Sequence, residues 1–244
     1  IAGQVDGVKL TNLSQPQTGC LHDYQLTTED MKLLSRADVF VVNGGGIETF
    51  LADVADSYPE LAIINASEGI ELEDDNAHAW MDPRRYEEQI SNICQGLIYA
   101  DDSMVRQTAY RENARVYMGE IDQLIELADQ IRDQAQGKHV VLLHEAYEYI
   151  AEAVGYEVVG VMDYEMNVCG LVDLDEERQV SAGEVSDILD IINKNHVDIL
   201  FVEELYGADM AQTLAKEADV CPVFLDTLVR GDLNADGYVS GMRQ

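Results

Sequence analysis

Proline and cysteine are scarce, with four of each in 244 residues, and tryptophan occurs once. Few prolines leave room for long unbroken helices. Cys20, Cys94, Cys169 and Cys221 are widely scattered and form no CxxC pair, which excludes a zinc knuckle and a dithiol redox motif. A Cys169–Cys221 disulfide and four free thiols both fit that spacing. No apolar run approaches the ~20 residues needed to span a bilayer, so no integral membrane segment is expected. Basic residues are the largest shortfall: 15 Lys and Arg stand against 47 Asp and Glu, a net charge of −32. Such a chain repels phosphate backbones and anionic lipid and attracts cations, so nucleic acid is not an expected partner. Most of these carboxylates read as a solvated surface that keeps the protein soluble. Neither an initiator methionine nor a basic-then-apolar leader stands at Ile1, and the chain reads as a processed or trimmed piece.

What is present is a soluble, core-forming composition, 47% hydrophobic and 25% charged, long enough for one large domain or two small ones. Short β-branched runs at 38–43, 61–65, 139–143, 157–161, 198–202 and 222–225 have the character of buried parallel strands. Helical spacing surrounds them, as in Val185, Ile188, Leu189 and Ile192, or Met210, Leu214 and Ala218. The alternation predicts an α/β fold with parallel sheets. From Asp102 to Ala135 there is no proline and one glycine, and apolar residues recur at helical spacing. That predicts a helix roughly 50 Å long at about 1.5 Å per residue, N-capped by Asp101 or Asp102 and closed by Gly137. A helix this long between two strand groups reads as a strut joining two lobes. The expected division is 1–101 for the first lobe, 102–136 for the connecting helix and 137–244 for the second lobe.

Ligands of open α/β sheets collect at the carboxyl ends of strands. His144 follows the run 139–143, and Asp226 follows 222–225. His22 in GCLHDYQLT and His78 in NAHAWMDP each precede a helical segment. Three imidazoles and a carboxylate make a tetrahedral set for a zinc-like divalent ion, although each alone also fits a hydrogen-bonded core residue or a turn cap. His139 and His196 precede strands, at the end where ligands rarely gather, and are left out of the set. NGGGIE at 43–48 lacks the GxGxxG spacing and the following Lys-Ser or Lys-Thr of a phosphate loop, so a tight turn is expected there. DLNADG at 232–237 opens like a calcium loop, but its twelfth position is Arg243 rather than a bidentate Glu.

Over nearly the whole chain these blocks resemble the zinc- and manganese-binding solute-binding proteins of bacterial ABC importers. HDYQLTTEDMKLLSRADVFVVNGGGIETFL from His22 is similar to the family's first histidine block, and HAWMDP at 78–83 to its HxWxDP block. Tyr110 and Asn113 match a Tyr-x-x-Asn in the long helix. HEAYEYIAEAVGYEVVGV from His144 resembles the third histidine block, and FVEE (201–204) and FLDTL (224–228) the last two. The resemblance implies two Rossmann-like lobes joined by one long rigid helix, with a metal site in the cleft between them formed by His22, His78, His144 and Asp226. Because three of the four donors are nitrogen, Zn2+ is favoured, with Mn2+ or Fe2+ as alternatives. It also implies an extracytoplasmic protein, periplasmic or held by a lipid anchor outside this chain, acting as a monomer that delivers metal to an ABC permease.

The chain departs from the family pattern at several places. The strand and helix that usually come first are absent before Ile1, the histidine-rich loop is replaced by the acidic ELEDDNAH at 71–78, and 163–180 is longer than usual. Cys20 stands two residues before His22. The main rival is a zinc hydrolase using the same ligands with Glu145 or Glu204 as general base. A metal-dependent adhesin would share the importer's site.

Overall fold

The β-rich runs form strands within a residue or so of their expected limits in the computed structural model, which describes residues 1–13, 24–162, 182–204, 207–229 and 234–244. The strands are β1 (Val39–Val42), β2 (Ala62–Asn65), β3 (His139–Leu142), β4 (Glu157–Val161), β5 (Ile199–Glu203) and β6 (Cys221–Leu225). Among the described residues every pairing is parallel. Parallel neighbours need long crossovers, and helices supply most of them: α1 (Thr28–Leu34), α2 (Leu51–Ser57), α3 (Pro83–Ala100), α4 (Met104–Ala135), α5 (Glu148–Ala153), α6 (Ala182–Asn195), α7 (Ala208–Glu217) and α8 (Gly237–Met242). The result is the α/β class with two parallel sheets and one long helix. The chain divides into two compact units, Ile1–Ile125 with Gly231–Gln244, and Glu126–Arg230. The division falls inside α4, and the end of the chain groups with its beginning rather than with residues 137–230.

In unit 1, β1 and β2 pair from Val39 opposite Ala62 to Val42 opposite Asn65. Helix α3 lies on them and buries Ile90, Cys94 and Leu97 with Ile64 of β2 and with Tyr110, Ile121 and Leu124 of α4. Its approach depends on Gly96, where an added Cβ would fall 2.7 Å from the Ile64 side chain. Asp82 N-caps α3 through Arg84 N–H, and Pro83 fills the first helical position, where its missing donor costs nothing. Helix α1 opens with a capping box between Thr27 and Asp30. Burial alone would raise the Asp30 carboxyl, but hydrogen bonds from Thr27 and Tyr24 hold it below its ordinary value. Burial and the same contact with Asp30 push the Tyr24 phenol up to about 12.

The start of α4 corrects one expectation. Ser103, not Asp101 or Asp102, takes the N-cap place, its carbonyl accepting from Gln107 N–H and its hydroxyl from Arg106 N–H. Asp101 instead gathers both forks of the Arg106 guanidinium at 2.6 and 2.7 Å, the Tyr110 hydroxyl at 2.8 Å and Ser103 N–H at 2.8 Å. The Arg106 hydrogen bonds, with help from Ser103, hold its carboxyl well below the usual range. At the far end Gly137 follows the helix with φ +78°, the left-handed conformation expected of a closing glycine.

Unit 2 is a four-stranded sheet in the order β4–β3–β5–β6. Val140, Val141 and Leu142 of central β3 are wholly buried, as a parallel strand covered on both faces requires. Val141, Leu200 and Val202 pack with Ile188 and Ile192 of α6 and with Met210 and Leu214 of α7. Each fully buried aliphatic side chain here contributes roughly 1.5–3 kcal/mol. Among the described residues no helix is long and apolar enough to cross a membrane. Cys94 is buried, Cys221 is exposed, and both are free thiols; Cys20, Cys169 and the stretch 163–180 lie outside the described residues.

Candidate metal centre

The His78 turn is assembled from polar side chains at the ends of β1 and β2. Between β2 and the 3-10 turn Ala79–Met81, the acidic loop doubles back with Asp74 and Asp75 at positive φ, a conformation that aspartate tolerates better than most residues. Glu73 in this loop pairs with Arg85 at 2.7 Å. Asn76 then fixes His78 twice: its Oδ1 accepts from the His78 backbone N–H at 3.0 Å and lies 2.8 Å from ring Nδ1. An oxygen already accepting from one N–H presents an acceptor to the ring, so Nδ1 carries the proton and the lone pair of the neutral imidazole is on Nε2. His78 is buried, with its ring 5.1 Å from the Trp80 indole. Behind it, Asn43 at the end of β1 donates to the Ala77 carbonyl at 3.0 Å, and Gln89 of α3 donates to both Asn43 Oδ1 and Ser67 Oγ. From the chain's last helix, the Tyr238 hydroxyl donates to the Trp80 carbonyl at 2.7 Å.

The NGGGIE segment is the tight turn expected. Gly44 takes φ +84°, and a Cβ there would fall 1.9 Å from the Asn65 amide oxygen. The Glu48 carboxylate accepts from the Asn43 and Gly44 backbone N–H groups at 2.6 and 3.0 Å, so the chain's own acid sits where a phosphate would. DLNADG likewise ends in ordinary structure: Asn234 Oδ1 accepts from Asp236 N–H, and α8 begins at Gly237.

In unit 2, β3 leads to His144 as the N-cap of a second 3-10 turn, Glu145–Tyr147. Here the ring plays the opposite part: Nδ1 accepts from Ala146 N–H at 2.8 Å. The neutral imidazole then has its lone pair on Nδ1 and its proton on Nε2. The ring is 2% exposed and lies 5.6 Å from that of Tyr147. Asp226 follows β6 and turns the chain, its Oδ1 accepting from Leu228 N–H at 2.8 Å. Because all strands of the sheet are parallel, His144 and Asp226 leave the same carboxyl edge, on strands separated by β5. Two strand spacings put their backbones roughly 10 Å apart.

Of the four residues singled out in the sequence, His22 lies outside the described residues, His78 belongs to unit 1, and His144 and Asp226 share one edge of unit 2. Among the described residues no group of three or more His, Cys, Asp or Glu side chains is placed to hold a metal ion. His139 sits at the amino end of its strand, its Nδ1 against the Asn195 carbonyl and its Nε2 3.5 Å from Glu157. Two contributors escaped the sequence reading. Asn76 is signalled only by its place two residues before a histidine, and Tyr147 lay inside a motif without a role.

The comparisons with known proteins agree with this architecture. The manganese-binding lipoprotein MntA of Halalkalibacterium halodurans is 24% identical over 233 residues, covering 91% of this chain and 74% of the relative. The high-affinity zinc uptake system protein ZnuA of Bacillus subtilis is 23% identical over 228 residues, covering 85% and 68%. Among solved structures, the solute-binding protein FpvC of Pseudomonas aeruginosa in complex with Mn2+ superposes with a TM-score of 0.78 at 24% identity, covering 97% of this chain and 87% of that one. The family model described as zinc-uptake complex component A, periplasmic, matches residues 1–244, and the chain belongs to that family.

Proposed function

We propose that this protein captures a divalent transition-metal ion outside the cytoplasm and delivers it to an ABC import permease, with His22, His78, His144 and Asp226 as the ligands and zinc as the preferred ion. What supports the reading is that two buried histidines, each oriented by a backbone or amide partner, stand in the blocks that resemble the family's histidine motifs, in a chain that the family model matches over residues 1–244. A set of three nitrogens and one oxygen suits zinc better than manganese or iron, although relatives are named for zinc and for manganese. A zinc-uptake component is a transport protein and not an enzyme, so Glu145 and Glu204 need no catalytic role. A periplasmic family and lipoprotein relatives support an extracytoplasmic location. Action as a monomer, either in the periplasm or held by a lipid anchor outside this chain, completes the proposal.

Elemental analysis of the purified protein, with a competition titration of zinc against manganese, tests it. Bound zinc and a preference for zinc are expected. Metal should also raise the melting temperature by mass action. Identical melts with zinc and with chelator would remove the metal site from consideration.

A further inference from the structure

In unit 2 the strand ladder ends short of both proposed ligands, at Leu142 opposite Phe201 and at Glu203 opposite Leu225. The Tyr147 side chain reaches across the interval. Tyr147 closes the turn that His144 opens and is wholly buried. Its hydroxyl is within hydrogen-bond distance of both the Glu203 carboxyl and the Leu225 carbonyl, the latter at 2.8 Å. Glu203 ends β5, and Leu225 ends β6 immediately before Asp226. Three segments far apart in sequence therefore meet at one phenolic oxygen, and the Tyr147 ring is tilted 58° against that of His144. Burying a carboxyl group such as Glu203, 3% exposed, is costly unless it is hydrogen-bonded.

We infer that Tyr147 and Glu203 are positioning residues for metal capture: their bridge fixes the His144 turn against the end of β6, so that His144 and Asp226 are presented in one geometry. This rests on His144 and Asp226 being ligands. Neither bridging group needs to touch the ion. Outer partners of this kind typically set about 10–100-fold of metal affinity.

Two readouts separate the bridge from the metal site itself. The first needs no metal: amide hydrogen exchange in chelator-treated protein at Ala146 and Leu228, whose N–H groups donate to His144 Nδ1 and Asp226 Oδ1. Tyr147→Phe, which keeps the ring and removes the hydroxyl, should speed exchange at both while leaving the His78 amide of unit 1 unchanged. The second is zinc affinity by competition with a chromophoric chelator. Tyr147→Phe and Glu203→Leu should each weaken zinc by about 10-fold or more, whereas Glu203→Gln, which still bonds the phenol, should stay within about threefold. The paired variant Tyr147→Phe with Glu203→Leu removes both polar groups together and so avoids stranding either in the interior. It should fold and bind zinc as weakly as Tyr147→Phe. Unchanged exchange at Ala146 and Leu228, or zinc affinity in the paired variant within about twofold of the parent, would overturn the inference. So would a loss in Glu203→Gln equal to that in Glu203→Leu. A parent protein that binds no zinc, manganese or iron sinks the metal reading and this role together. Normal parent binding with an unaffected paired variant sinks this role alone.

Discussion

His78 and His144 are both almost wholly buried, yet their rings are held in opposite senses. Asn76 accepts from Nδ1 of His78 and leaves the lone pair on Nε2, the arrangement in which an outer partner orients a ligating imidazole. Ala146 donates to Nδ1 of His144, so the neutral ring has its proton on Nε2. As a proposed ligand, the first histidine would coordinate through Nε2. The second must give up either that proton or the Ala146 bond to do the same. The supports differ in kind as well: the amide side chains Asn76, Asn43 and Gln89 tie down the His78 turn, whereas the Tyr147 phenol ties down the His144 turn.

The comparison can be broken most directly at the ligands. Replacing His78 or His144 by alanine should each cost about 100-fold or more in zinc affinity, beyond what outer partners contribute. Chelator competition measures this, and a variant binding like the parent removes that residue from the ligand set. Next in size is Asn76→Leu, expected to weaken zinc by about 10–100-fold by freeing the ring to rotate. In the metal-free parent protein, 15N spectra of the two imidazoles should report the Nδ1–H form for His78 and the Nε2–H form for His144. Finding one tautomer at both would dissolve the contrast.

Gly96→Ala tests whether unit 1 depends on close backbone approach. A methyl 2.7 Å from Ile64 forces the helix or the strand to shift, at an expected cost of about 1–3 kcal/mol. Urea unfolding would show it, and an unchanged midpoint would mean that α3 slides freely on β2.

The smallest effect concerns how the two regions hold α4. Its start in unit 1 is tied by Asp101 to Arg106, and its end in unit 2 by the uncharged Gly137. Since Asp101 is held below its ordinary value of 3.8, its contribution is fully present above that value and is lost as pH falls through the lower folded value. The stability gap between the parent and Asp101→Asn should therefore be constant near neutrality and close in more acidic solution. Unfolding midpoints over a series from about pH 6 to about pH 2 measure this, and a gap insensitive to pH would refute the assignment.

Much of the fold was legible because parallel strands announce themselves as short apolar runs, and β3 and β4 lie close to where VVLL and EVVGV predict them. What local pattern hides is competition over distance. Asp101 looked like a helix cap, but Arg106 and Tyr110 claim its carboxylate, leaving Ser103 to cap. The grouping of the last residues with unit 1 depends on Tyr238 reaching Trp80, 158 positions away. At the proposed site, the sequence singles out His78 and His144, but which ring nitrogen is left with its lone pair is decided by Asn76 and Ala146, whose partnership appears only once the turns are built.

Tyr238 has one more consequence. It stacks on Tyr86 at 3.8 Å between centroids, and it belongs to the final segment of a unit that otherwise ends at Ile125. Unit 1 is therefore assembled from two stretches of sequence whose aromatic contact joins residues far apart along the chain, whereas unit 2 is built from the one uninterrupted stretch Glu126–Arg230.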